Sequence, residues 1–164
     1  FLDCLCSEFI EQANGEKGLE KVVKFTEKGR AVGLGTMGFA TYLQSKMIPY
    51  ESLEAYFLNM EIWKHIHDES LRASQWLATI LGEPEWCEGL GVRNTHRTAS
   101  APTKSTAGLM GGMSESTFPD PAMVFTAGSA AGELDRIPPL FLKLLKEKGK
   151  YTKKVIEDIV ANKR

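Results

Sequence analysis

Apolar residues recur along this chain mostly at three- and four-residue spacings, so the pattern predicts helices. Leu2, Leu5, Phe9 and Ile10 form one stripe over residues 1–13, and Asn14-Gly15 is the stop signal. Leu19, Val22, Val23 and Phe25 mark a shorter helix from about Gly18 to Lys28, closed by Gly29. A helix is expected from Phe39 to about Met47, with Pro49 ending it. The longest periodic segment starts at Ser52. Leu53, Phe57, Met60, Trp63, Ile66, Leu71, Leu77, Ile80 and Leu81 make it amphipathic, and it stops at Gly82 before Pro84. Roughly 30 residues at 1.5 Å rise span on the order of 45 Å, a length suited to the outside of a large domain. Pro139 fits the first turn of a helix through Leu140, Leu144 and Leu145 to Lys148, with Gly149 as its stop. A last helix begins at Thr152 and carries Val155, Ile156, Ile159 and Val160.

Strand signals are few. Thr95 to Ala101 is a β-leaning run that Pro102 ends, and Met123-Val124-Phe125-Thr126 reads as a second short strand. Pro119 and Pro121 enforce an extended path between them, and Gly128 to Gly132 reads as small and flexible. A lone strand cannot satisfy its ladder groups. The run before Pro102 therefore wants a sheet that the chain does not obviously supply. The class is α/β, mostly helical.

Composition changes this picture little. The 164 residues are 43% hydrophobic and 25% charged, with a net charge of −1. That balance gives no electrostatic case for nucleic acid or an acidic membrane. No apolar run approaches the roughly 20 residues of a membrane span. Phe1-Leu2-Asp3 lacks a basic leader and an initiator Met, so no signal peptide is expected and the chain reads as a piece of something longer. Cys4, Cys6 and Cys87 are odd in number and have no paired spacing, which points to a reducing compartment and to packing roles. Localisation is expected to be cytoplasmic.

Three features invite chemistry. Gly33-Leu34-Gly35-Thr36-Met37-Gly38 matches the dinucleotide-binding glycine pattern literally, but only Ala31 and Val32 precede it as apolar strand residues. The blander reading is a helix packed closely on a neighbour at 35 and 38. His65 and His67 lie two apart on a helix and diverge, so they cannot share a metal. Pro102-Thr103-Lys104-Ser105-Thr106 is the third. It joins a β-leaning run to a small-residue helix start, where unpaired backbone N–H groups, hydroxyls and one lysine can hold an anion. Its plainer reading is an ordinary N-cap by Thr103 or Ser105, with Lys104 solvated.

Four ordered segments resemble one family. Arg30 to Gly38, Ile48-Pro49-Tyr50-Glu51-Ser52, Arg93-Asn94-Thr95 and Ala101 to Thr106 are similar to the C-terminal half of the large (α) subunit of aerobic ribonucleotide reductases, closest in flavour to phage-type class I members. The segment from Pro138 to Tyr151 is similar too. The resemblance implies a fragment of the family's ten-stranded α/β barrel. It implies reduction of ribonucleotides to 2′-deoxyribonucleotides by radical chemistry. Pro102, Thr103, Lys104, Ser105 and Thr106 would be the substrate-phosphate turn, and the 33–38 glycines a helix-packing motif.

On this reading residues 1–164 are one partial domain, with a helical part at 1–83 and the strand, phosphate loop and C-terminal helices at 92–164. No catalytic or metal-binding residue is assigned here. The family's radical cysteine and redox cysteine pair would lie N-terminal to this region, and its tyrosine relay beyond Arg164. The implied partners are a ribonucleotide, the rest of the large subunit and a metal-containing, radical-generating small subunit. If the protein is phage-encoded, the cytoplasm is the host's. One departure is local: Phe118 precedes Pro119 where many members have Glu or Asn. The alternative is a noncatalytic helical remnant that binds only a partner chain.

Overall fold

The computed structural model describes residues 1–122, 124–129 and 132–162, with backbone alone for 125–129 and 132–136. The helices follow the periodicity closely: α1 (Leu2–Ala13), α2 (Glu20–Gly29), α3 (Phe39–Ser45), α4 (Leu53–Leu81), α5 (Lys104–Leu109), α6 (Pro139–Glu147) and α7 (Lys153–Asn162). A 3-10 turn at Glu85–Cys87 interrupts the loop after α4. Pro139 does open α6, and the Thr152 hydroxyl caps α7 by accepting the Val155 N–H at 3.3 Å. The expected end of that helix at Lys163-Arg164 lies outside the described residues.

The chain gathers into two compact units, Phe1–Gly35 with Phe57–Ser100, and Thr36–Tyr56 with the chain from Ala101 onward. Each unit draws on both sides of the sequence division at 83–92. Ala13, Val23 and Cys87 are core residues of the first unit, where Phe25 meets Trp86 edge-on at 5.1 Å. Phe39, Ala40, Leu43, Ala55, Ala107 and Val124 are core residues of the second.

In α1 the buried positions are Asp3 and Ala13, while Leu5 is half exposed. The expected stripe through Leu2, Leu5 and Phe9 is thus rotated, because Asp3 is drawn inward by arginines described below. At the end of α2, Arg30 adopts the left-handed conformation (φ 43°), a place usually given to glycine, and its N–H reaches Thr26 O at 2.9 Å. The run expected as a strand before Pro102 forms no strand, but it meets an extended partner inside the chain at one isolated bridge. Val32 N–H donates to His96 O (3.0 Å), Leu34 N–H to Arg97 O (2.9 Å) and Ala99 N–H to Leu34 O (3.1 Å), so Leu34 and Thr98 pair in parallel.

This pairing corrects the reading of the glycine pattern. Gly33 and Gly35 lie in the extended partner segment, not on a packed helix. A Cβ on Gly35 would stand 2.3 Å from the Ala99 carbonyl oxygen, and one on Gly33 would stand 2.8 Å from Ala99 Cβ. The glycines allow two backbones to meet.

A second correction concerns Gly128 to Gly132. Phe125–Ser129 (β1) and Gly132–Arg136 (β2) form an antiparallel hairpin, with Ser129 opposite Gly132. The expected strand residue Met123 lies outside the described residues, as do residues 130 and 131 of the segment expected to be flexible. Among the described residues, extended pairing is limited to this hairpin and the Leu34–Thr98 bridge. The mostly helical character holds, and among the described residues no closed barrel is built.

Candidate functional site

The hydroxyl-rich turn lies in the second unit. Thr103 is the N-cap of α5, but its side chain makes no cap bond. Ala107, fully buried, anchors the six-residue helix, and its N–H donates to Thr103 O at 2.7 Å. The N–H groups of Lys104, Ser105 and Thr106 meet no acceptor among the described residues. Pro102, Lys104, Ser105 and Thr106 are exposed and Thr103 is half-buried. Consecutive free donors, two hydroxyls and an ammonium thus share one short turn. The plainer reading, a side-chain N-cap by Thr103 or Ser105, is not what these residues do. The Thr103 hydroxyl instead accepts the N–H of Ser116 at 3.0 Å.

That bond ties the turn to residues 114–117, which sit on the start of α3. Gly38 N–H donates to Ser114 O (2.9 Å). Thr41 N–H donates to Ser114 Oγ (3.0 Å), and Ser114 N–H donates back to Thr41 Oγ1 (2.7 Å). Tyr50 OH donates to Thr117 O at 3.1 Å. Ser114 and Ser116 are each 1% exposed, and Ser116 has φ 50°. Phe118, two residues beyond Ser116, is 64% exposed.

The first unit holds a buried polar cluster that no local pattern announces. Asp3 Oδ1 accepts from Arg30 Nε (2.7 Å) and Asn94 Nδ2 (3.0 Å), and Oδ2 from Arg30 Nη2 and Arg93 Nε (both 3.0 Å). The Ser74 hydroxyl donates to Asn94 Oδ1 (2.8 Å) and accepts the N–H groups of Arg93 and Asn94 (both 3.0 Å). Arg93 Nη1 also donates to the carbonyls of Leu81 and Gly82 at the end of α4. Burial alone would raise the Asp3 carboxyl. Hydrogen bonds and charge from Arg30 and Arg93 outweigh it and hold the carboxyl below the usual aspartate value. Asn94 Nδ2 also donates to Arg30 O (3.0 Å), so the cluster fixes the segments leading into the parallel pair. Its role is structural.

Remaining candidates are simpler. His65 and His67 are both exposed. Cys87 is fully buried, and burial pushes its thiol up, with Glu83 adding to the shift. Cys4 is exposed, which removes it from the packing role expected of all three cysteines. Among the described residues no three His, Cys, Asp or Glu side chains are placed to hold a metal, and no helix is long and apolar enough to cross a membrane.

Two segments, residues 10–89 and 85–164, match the family described as "Ribonucleotide reductase, barrel domain". The chain belongs to this family. It is 34% identical, over 90% of its length, to the ribonucleoside-diphosphate reductase large subunit of Invertebrate iridescent virus 3, and covers 23% of that protein. It is 36% identical, over 86% of its length, to the vitamin B12-dependent ribonucleoside-diphosphate reductase of Thermoplasma acidophilum, and covers 19% of it. Among solved structures, the class Id ribonucleotide reductase alpha subunit of Actinobacillus ureae superposes with a TM-score of 0.85 at 37% identity, over 98% of this chain and 29% of that one. The chain therefore spans less than a third of the length of these reductases.

Proposed function

We propose that this chain is part of a ribonucleoside-diphosphate reductase large subunit, and that residues Pro102 to Thr106 are its substrate-phosphate turn. The observation that carries the proposal is the set of unpaired N–H groups on Lys104, Ser105 and Thr106, in a chain of the reductase barrel family. Such donors at a helix start, with the helix dipole behind them, suit phosphate oxygens. Ser105 and Thr106 add hydroxyl donors and Lys104 adds charge. Pro102 ends the extended run that delivers the turn. These groups position a substrate and carry out no bond chemistry.

Residues 1–164 then act as one partial domain of the reductase barrel, acting on a ribonucleoside diphosphate in the cytoplasm. The reactive cysteines belong to the rest of the large subunit, and this chain holds no cofactor of its own. The radical is supplied by a separate, metal-containing small subunit. Because some relatives are named as vitamin B12-dependent, the radical source is tested by reconstituting the complete subunit with either supply.

Titration with CDP tests the turn. Ser105→Ala and Thr106→Ala should each weaken binding roughly 2- to 10-fold, the value of a lost hydrogen bond or two. Absence of CDP binding by the unsubstituted chain, even beside complementing chains, favours the noncatalytic module instead. That reading draws on exposed Phe118 at a position often polar in the family.

A further inference from the structure

We infer that Thr41 and Ser114 are positioning residues for the phosphate turn, acting through residues 114–116 and the Thr103 hydroxyl. The inference rests on the phosphate-turn reading and adds residues that touch no ligand.

The first N–H groups of a helix need acceptors outside it. In α3 those of Gly38 and Thr41 go to Ser114, one to its carbonyl and one to its hydroxyl. Thr41 returns the bond, because its hydroxyl accepts the Ser114 N–H. This reciprocal pair joins residues 73 apart in sequence. Two residues on, Ser116 passes the constraint forward: its N–H donates to Thr103 Oγ1. Ser116 holds a left-handed conformation that serine rarely adopts, so its position is imposed by its surroundings.

The consequence at Thr103 is specific. Its hydroxyl oxygen is occupied as an acceptor, which leaves the single hydroxyl proton free to point away from Ser116. The Thr103 side-chain rotamer is thereby set before any ligand arrives. Holding donors in place in advance removes part of the ordering cost of binding. Ser114 and Ser116 are buried among these partners, so the brace works from behind the exposed face of Lys104, Ser105 and Thr106.

The test uses the 164-residue chain with CDP and inorganic pyrophosphate as probes, alongside amide hydrogen exchange at Ser114 and Ser116. Thr41→Val keeps the shape of the side chain and removes the hydroxyl acceptor. It should weaken both probes roughly 3- to 10-fold and speed exchange at Ser114 and Ser116, and Thr41→Ser should restore both to within about twofold. Ser114→Ala should weaken the probes similarly, and it carries the test if Thr41→Val does not fold. Unchanged binding in Thr41→Val and Ser114→Ala, while Ser105→Ala still weakens it, overturns the brace and leaves the phosphate turn standing. No binding by the unsubstituted chain, or binding indifferent to Ser105→Ala, overturns the phosphate turn and the brace with it.

Discussion

Asp3 is the buried carboxylate at the centre of the first unit's polar cluster. It is 5% exposed and accepts from two arginines and an asparagine. Removing one partner from a buried, bonded charge set leaves the others unsatisfied. Asp3→Ala should therefore cost about 3–5 kcal/mol in urea unfolding, whereas breaking the exposed Lys64–Asp68 pair should leave the unfolding midpoint almost unmoved. The pH dependence follows from the lowered carboxyl. The unfolded chain binds this proton more readily than the folded one, so the contribution is complete above the ordinary aspartate value of about 4 and is lost as pH falls below it. Melting temperatures recorded between neutral pH and pH 2.5 should drop steeply at the acid end, and Asp3→Asn should remove part of that drop. Little of this was legible beforehand. Hydrophobic periodicity ranks Leu2, Leu5 and Phe9 as the inner face of α1, and nothing local says that arginines 27 and 90 residues away will turn the helix.

At the scale of elements, the helices were legible because each carries its own instructions. Gly82 and Pro84 end α4, and Pro139 starts α6. The paired segments were not. Val32 to Leu34 has too few apolar residues to read as a strand, and the glycines that let it approach Ala99 look like a helix-packing or nucleotide motif. In the hairpin, charged Glu133, Asp135 and Arg136 hide β2, whose register depends on β1. Steric contrast tests the parallel pair. Gly35→Ala places a methyl group against the Ala99 carbonyl and should destabilise the chain by about 1–3 kcal/mol. Gly108→Ala, in α5 with nothing within 4 Å of the new atom, should stabilise it by up to about 1 kcal/mol. Denaturant midpoints of the two variants should move in opposite directions. The site divides in the same way. Pro102 to Thr106 was readable as a turn from five consecutive residues, while Thr41 and Ser114 were not, because only the fold joins them.

For the whole molecule, the informative quantity is the apolar surface left open. Leu53 and Met60, two turns apart on α4, are each more than half exposed. Exposed large apolar side chains such as these suit contact with other protein. The reductases it resembles are more than three times as long as this chain. Studied by itself, the chain should self-associate as its concentration rises, and Leu53→Glu with Met60→Glu should suppress that association in sedimentation velocity. The Asp3–Arg93 bond has a further consequence, in time. It spans 90 residues, so the first unit cannot close while a ribosome is still making its middle. At about 5–20 residues per second, α1 waits on the order of 5–20 s for its second arginine, and longer while that residue clears the exit tunnel. Over that interval the nascent chain carries a carboxylate short of one of its two arginines, and chaperones that shield emerging segments have their longest opportunity to act there.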